Sequence, residues 1–168
     1  MLLDDIDAGL ALLPSKMRTP AARVLLYATS RQENPKRSPR QLVKVDGKLQ
    51  PIGPAAGDYQ FEKGGGVRGV LTHRASSAYA REACRQRGVA ATSDAVFTAI
   101  QTDPILAAAL ARLLYYTDPK PLPSVGDEQG AWELYLRTWR PGAYARQPDE
   151  LRAKWSRSYA EAVKACGY

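Results

Sequence analysis

The sequence predicts a mainly helical α+β domain, a helical bundle with a small β-hairpin lobe. Three observations carry that expectation. Two helix-opening signals, Thr19-Pro20 and Asp103-Pro104, each precede a long apolar run. An N-cap hydroxyl or carboxylate followed by proline at the first helical position is a strong start signal. One segment, Leu42 to Leu49, instead alternates apolar and polar residues around Asp46-Gly47. That is the pattern of a short hairpin.

The elements follow in order. Thr19-Pro20 opens a helix that ends at Glu33. In the hairpin, Val43 and Val45 share one face and Lys44 takes the other. Pro35, Pro39, Pro51 and Pro54 are expected to flank this hairpin and confine it to an exposed lobe. Ser76-Ser77 and Ser93-Asp94 are expected to cap two further helices. Ile105 to Tyr116 is apolar nearly all round, so it is expected to be the central buried helix. Gln129 to Trp139 forms another helix, stopped at Pro141-Gly142. Pro148-Asp149-Glu150 opens the last one, which Gly167 closes. With no repeat and no long linker, residues 1–168 are expected to form a single domain.

Composition narrows the chemistry. The chain has 168 residues, 45% of them hydrophobic, enough for one domain with a sizeable core. Its net charge is +7, which favours acidic partners: nucleic acid, anionic membrane surfaces or an acidic cell-wall polymer. No apolar run is long enough for a membrane span. The start, Met1 to Asp7, is acidic where a secretory signal would be basic, so synthesis in a cytoplasm without a signal peptide is expected, unless the chain is already processed. Cys84 and Cys166 are too far apart in sequence for a metal motif and read as reduced thiols, unless the protein reaches an oxidising compartment.

A single histidine, His73, disfavours zinc hydrolase chemistry and leaves only Cys84 as a nucleophile it could serve. No G-x-S-x-G, P-loop or G-x-G-x-x-G motif is present. No metal and no cofactor are expected. Carboxylates remain as catalytic candidates. Glu33 stands out because an acid at a helix C-terminus is disfavoured as an anion, and an apolar site raises its pKa further. A carboxyl that keeps its proton near neutral pH can act as a general acid. The alternative is an ordinary helix-end carboxylate paired with Arg31 or Arg37.

Three segments resemble the lysozyme-like superfamily, closest to goose-type lysozymes, soluble lytic transglycosylases and small phage muralytic enzymes. They are Gln32-Glu33-Asn34, Gly57-Asp58-Tyr59-Gln60 and the aromatic stretch beginning at Ala131-Trp132. The family pattern has a catalytic Glu at a helix end, then a hairpin lobe, a Gly-x-x-Gln cleft element and a late aromatic helix. Asn34 replaces a usual Ser, Asp58 and Tyr59 replace apolar residues, and the Asn of the late Ala-Tyr-Asn element is missing. The resemblance covers roughly residues 15 to 168.

It implies peptidoglycan glycan-strand cleavage between N-acetylmuramic acid and N-acetylglucosamine, with Glu33 as the general acid. Glu62 is the candidate second carboxylate. If it is the base of an inverting hydrolase, its carboxyl should lie roughly 6.5–9.5 Å from that of Glu33. If no second carboxylate is in reach, a lytic transglycosylase route needs only one acid. Asp46 and Asp58 are rivals for the second role. Gln60, Tyr59, Tyr115, Tyr116, Trp132 and Tyr135 are the expected substrate contacts, with Arg140 a further candidate for a substrate carboxylate. The expected partner is peptidoglycan, met by a monomer acting at the wall or periplasm as a phage endolysin or virion-associated lysin. Nucleic acid is not expected as a partner. The alternative is a basic nucleic-acid- or virion-binding structural protein with an inactive lysozyme-like fold, using Lys36 to Arg40 and Arg81 to Arg87.

Overall fold

The computed structural model describes residues 1–168. It is mainly helical, with a small three-stranded antiparallel sheet between the second and third helices. The order is α1 (Leu2–Ala11), α2 (Pro20–Glu33), β1 (Arg40–Val45), β2 (Lys48–Ala56), β3 (Phe61–Glu62), α3 (Arg68–Thr72), α4 (Ser77–Gln86), α5 (Ser93–Ala99), α6 (Pro104–Tyr116), α7 (Glu128–Trp139) and α8 (Pro148–Ala165). No helix is long and apolar enough to cross a membrane.

α6 is the central helix, with every residue from Leu106 to Leu113 buried. Its start is fixed as expected: the Asp103 carboxylate accepts from the Leu106 amide at 3.0 Å, and Pro104 follows. α1 and α2 pack on it, and α8 covers the other side of α2. Thr19 caps α2 in the same way, accepting from the Ala22 amide at 3.1 Å.

Two other caps differ from expectation. Thr92, not Ser93, caps α5, and Ser76 turns its hydroxyl inward to the Val70 carbonyl instead of capping α4. α7 ends at Arg140, which takes a left-handed conformation with φ of 48°. Asp127 supplies its N-cap.

The hairpin turns at Asp46 and Gly47, which have φ of 48° and 79°. Two consecutive positive φ values match the twist of the flanking strands. Val45 pairs with Lys48 beside the turn. The prolines do not all flank the hairpin, because Pro51 and Pro54 lie inside β2. The ladder tolerates them by breaking register. Leu42 pairs with Pro51 but Arg40 pairs with Ala56, so Ile52 to Ala55 bulge opposite Gln41 alone. Beyond the bulge, β2 pairs with β3 through Ala55–Glu62 and Ala56–Phe61. Lys63–Val67, which contains the triple glycine, forms one π-helical turn leading into α3.

Candidate active site

Glu33 lies at the last residue of α2, where that helix meets the sheet lobe. It lines a cleft of about 670 Å³ together with Gln41 and Leu49 of the lobe, and Tyr135, Trp139 and Arg140 at the end of α7. The lobe forms one wall and the α7–α8 region the other.

The carboxyl is held, not free. The Tyr135 hydroxyl donates to its Oε1 at 2.5 Å. The Tyr135 ring stacks on Trp155 at 4.7 Å, and Trp139 stands 6.4 Å away. This aromatic floor removes water from the carboxyl. Burial pushes the Glu33 pKa up to about 7, against smaller lowering effects from the Tyr135 hydrogen bond and the Lys154 ammonium. Lys154 reaches from α8 to the Gln32 carbonyl, where a cation satisfies an orphan acceptor of the α2 C-terminus. Burial in turn lowers the Lys154 pKa. The helix-end pairing with Arg31 or Arg37 does not occur. Arg31 binds Glu161 at 3.1 Å, and Arg37 binds Asp5 and Asp58 at 2.6 Å each.

Asn34 joins this acid to the lobe. Its buried Nδ2 donates to the carbonyls of Ser38 at 2.7 Å and Gly57 at 3.1 Å, while its Oδ1 accepts from the Ser38 amide. Gly57 has φ of 73°, and a Cβ there would stand 2.6 Å from the Ile100 carbonyl oxygen, so only glycine fits. The Gly57 carbonyl also accepts from the Gln60 amide and from Gln60 Nε2 at 3.0 Å. Gln60, itself at φ of 50°, is thereby fixed on the cleft wall.

The expected site residues divide. Glu33, Glu62, Gln60 and Tyr135 meet at one cleft. Glu62 is exposed there, and Lys63 pairs with Asp94 instead. Tyr59, Tyr115, Tyr135 and Trp132 do not offer a stacking face to a sugar, and Tyr135 meets the cleft through its hydroxyl on Glu33 instead. Tyr59, Tyr115 and Tyr135 are each 1% exposed. The Tyr115 ring lies 4.5 Å from Trp139 and its hydroxyl bonds Thr29, and Trp132 lies 5.9 Å from Trp155. These rings bury their apolar area beneath the cleft floor, which outweighs exposure for ligand contact. Tyr116 is half-buried but lines a separate depression. The rival carboxylates are also placed elsewhere: Asp46 is at the exposed turn and Asp58 is buried against Arg37.

Lys154 carried no signal in the sequence. Trp139, at the end of α7, is also part of the cleft, and its indole N–H donates to the Tyr59 carbonyl at 3.0 Å. A second depression of about 630 Å³ lies beside the Glu33 cleft, with Gln60, Glu62, Trp139 and Arg140 lining both. The exposed His73 lies along it. No cluster of three or more His, Cys, Asp or Glu side chains forms a metal site, and both cysteines are free thiols. No protein-family model, curated protein or solved structure matches this chain.

Proposed function

We propose that this protein cleaves the glycan strands of peptidoglycan, with Glu33 as the general acid. The observation that carries the reading is the Glu33 carboxyl itself. It sits in a groove between a sheet lobe and helices, without an ion pair, with its pKa raised to about 7. That combination supplies a proton at neutral pH to a substrate oxygen.

In the reaction Glu33 donates its proton to the leaving glycosidic oxygen as the C1–O bond breaks and oxocarbenium character develops at C1. The carboxylate left behind is stabilised by the Tyr135 hydroxyl and the Lys154 charge. Two routes complete the cycle. In the hydrolase, water attacks C1 and gives its proton to the Glu62 carboxylate. In the transglycosylase, the sugar's own 6-hydroxyl attacks C1 and returns a proton to Glu33, leaving an anhydro sugar. The exposed Glu62 carboxylate lines the same cleft and is the candidate base of the hydrolase route.

The basic surface suits the anionic wall, and action there as a phage lysin fits the reading. The nucleic-acid alternative draws less support. Arg37, Arg85 and Arg87 of its two basic patches are each held by carboxylates of the chain, and Arg40 lies over the Phe97 ring.

The test is clearing of a purified peptidoglycan suspension by the protein and by Glu33→Gln. Clearing by the parent alone is expected, and none by the parent sinks the enzyme reading. Mass spectrometry of the products separates the routes, with reducing ends for hydrolysis and anhydro ends for transglycosylation.

A further inference from the structure

Arg112 is the only lysine or arginine that the fold buries, at 6% exposure, and it has no anionic partner. None of the chain's ten ion pairs includes it. Its Nε donates to the Met17 carbonyl at 3.1 Å, which ties the α1–α2 connection to α6. That role uses one nitrogen. Nη1 is buried without any hydrogen-bond partner. A buried guanidinium left in this state is costly, and a bound anion relieves the cost.

The surroundings favour an anion. Arg112 lines a depression of about 460 Å³ with Lys120 at its rim. The guanidinium carbon lies 5.8 Å from the Tyr116 ring centre, and Lys16 Nζ lies 5.6 Å from the same centre. Arg112 and Lys16 therefore both stand beside the Tyr116 ring, while Arg112 and Lys120 are the two cations that line the depression itself. The acid in the depression, Asp118, is already bound to Arg137 at 3.1 Å. The other walls include Tyr116 and Leu122, which are aromatic and apolar. Asp118 and Pro119 also line the depression beside the Glu33 cleft.

We propose that the Arg112 pocket is an oxyanion-binding subsite, shaped for a carboxylate carried on a small apolar group such as a peptide terminus. Arg112 supplies the buried charge, Lys120 adds a second from the rim, and the aromatic and leucine walls take the apolar portion. Phosphate shares the oxyanion chemistry but lacks the apolar part.

The experiment titrates the full chain with N-acetyl-alanine, its uncharged amide, and inorganic phosphate. The arginine Nε–H resonances are followed by NMR. A saturable shift of the Arg112 resonance with N-acetyl-alanine, and none with the amide, is expected. Lys120→Ala, at an exposed position, should weaken that binding about threefold, the size of a partly screened charge contact. Arg112→Lys should weaken it more than tenfold. Glu33→Gln should bind as the parent does, so the subsite stands or falls separately from glycan cleavage. No saturable shift with either anion overturns the site. Tighter binding of phosphate than of N-acetyl-alanine overturns the carboxylate assignment. Unchanged binding in both Arg112→Lys and Lys120→Ala overturns the residues.

Discussion

Tyr135 donates its hydroxyl proton to Glu33 across 2.5 Å, joining α7 to the end of α2 at the point where the cleft is deepest in aromatic side chains. The bond stabilises the ionised carboxyl and so opposes the effect of burial. Tyr135→Phe removes the donor and keeps the ring. The Glu33 pKa should therefore rise above its parent value. In a pH–rate profile the alkaline limb, set by loss of the catalytic proton, should move to higher pH. The maximal rate should fall roughly tenfold with the loss of one hydrogen bond to a charged group. An unmoved alkaline limb would show that another group sets it.

Glu33→Gln separates activity from stability. The rate should fall by about a hundredfold or more, the range for a general acid. Stability should move the other way at alkaline pH. Because the folded pKa is about 7 and the ordinary value 4.5, the native state binds more protons than the unfolded chain between them. Parent stability therefore falls as pH rises through that window. Glutamine carries no such loss. Urea unfolding at pH 8 should show the variant more stable by roughly 3 kcal/mol, with the two proteins close to equal at pH 4.

Lys154→Met should raise the Glu33 pKa further, since the ammonium lowers it. It also leaves the Gln32 carbonyl without its side-chain donor. A stability loss of about 1 kcal/mol is expected from urea unfolding, together with an alkaline limb shifted to higher pH. A stability loss with an unshifted limb would restrict Lys154 to a capping role.

Asn34→Ala removes three hydrogen bonds between the end of α2, the Ser38 backbone and Gly57. The Ser38 amide and carbonyl lose their partners. A loss of roughly 2–3 kcal/mol is expected in urea unfolding. Asn34→Ser, which restores part of the bonding, should recover some of it.

Local signals and the burial of the all-apolar α6 were legible in the sequence, and the side each aromatic ring turns to was not. Thr19-Pro20, Asp103-Pro104 and Asp46-Gly47 act through neighbouring backbone atoms, so their geometry follows from a few adjacent residues. The two-residue β3 has no such signature, because its pairing with Ala55 and Ala56 depends on a register break inside β2. α1 begins and ends without a side-chain cap, which leaves little for a local reading to find. Glu33, Gln60, Glu62 and Tyr135 meet at one cleft, yet Tyr59, Tyr115 and Trp132 turn into the core. Residue type marked them as aromatic. Which face each ring takes was decided by the layers above and below it. Lys154 lies more than a hundred residues from Gln32 in sequence, and only the packing of α8 on α2 brings them together.

The Asn34 bonds have a mechanical consequence. The residue that follows the acid is fastened to the backbone that carries Gln60 and leads into β3. A swing of the lobe must either break those bonds or drag the end of α2 with it. Under the proposed function, any displacement of the lobe base that a bound strand imposes is passed through Asn34 to the end of α2, so the wall of the cleft and the acid it faces shift as one unit.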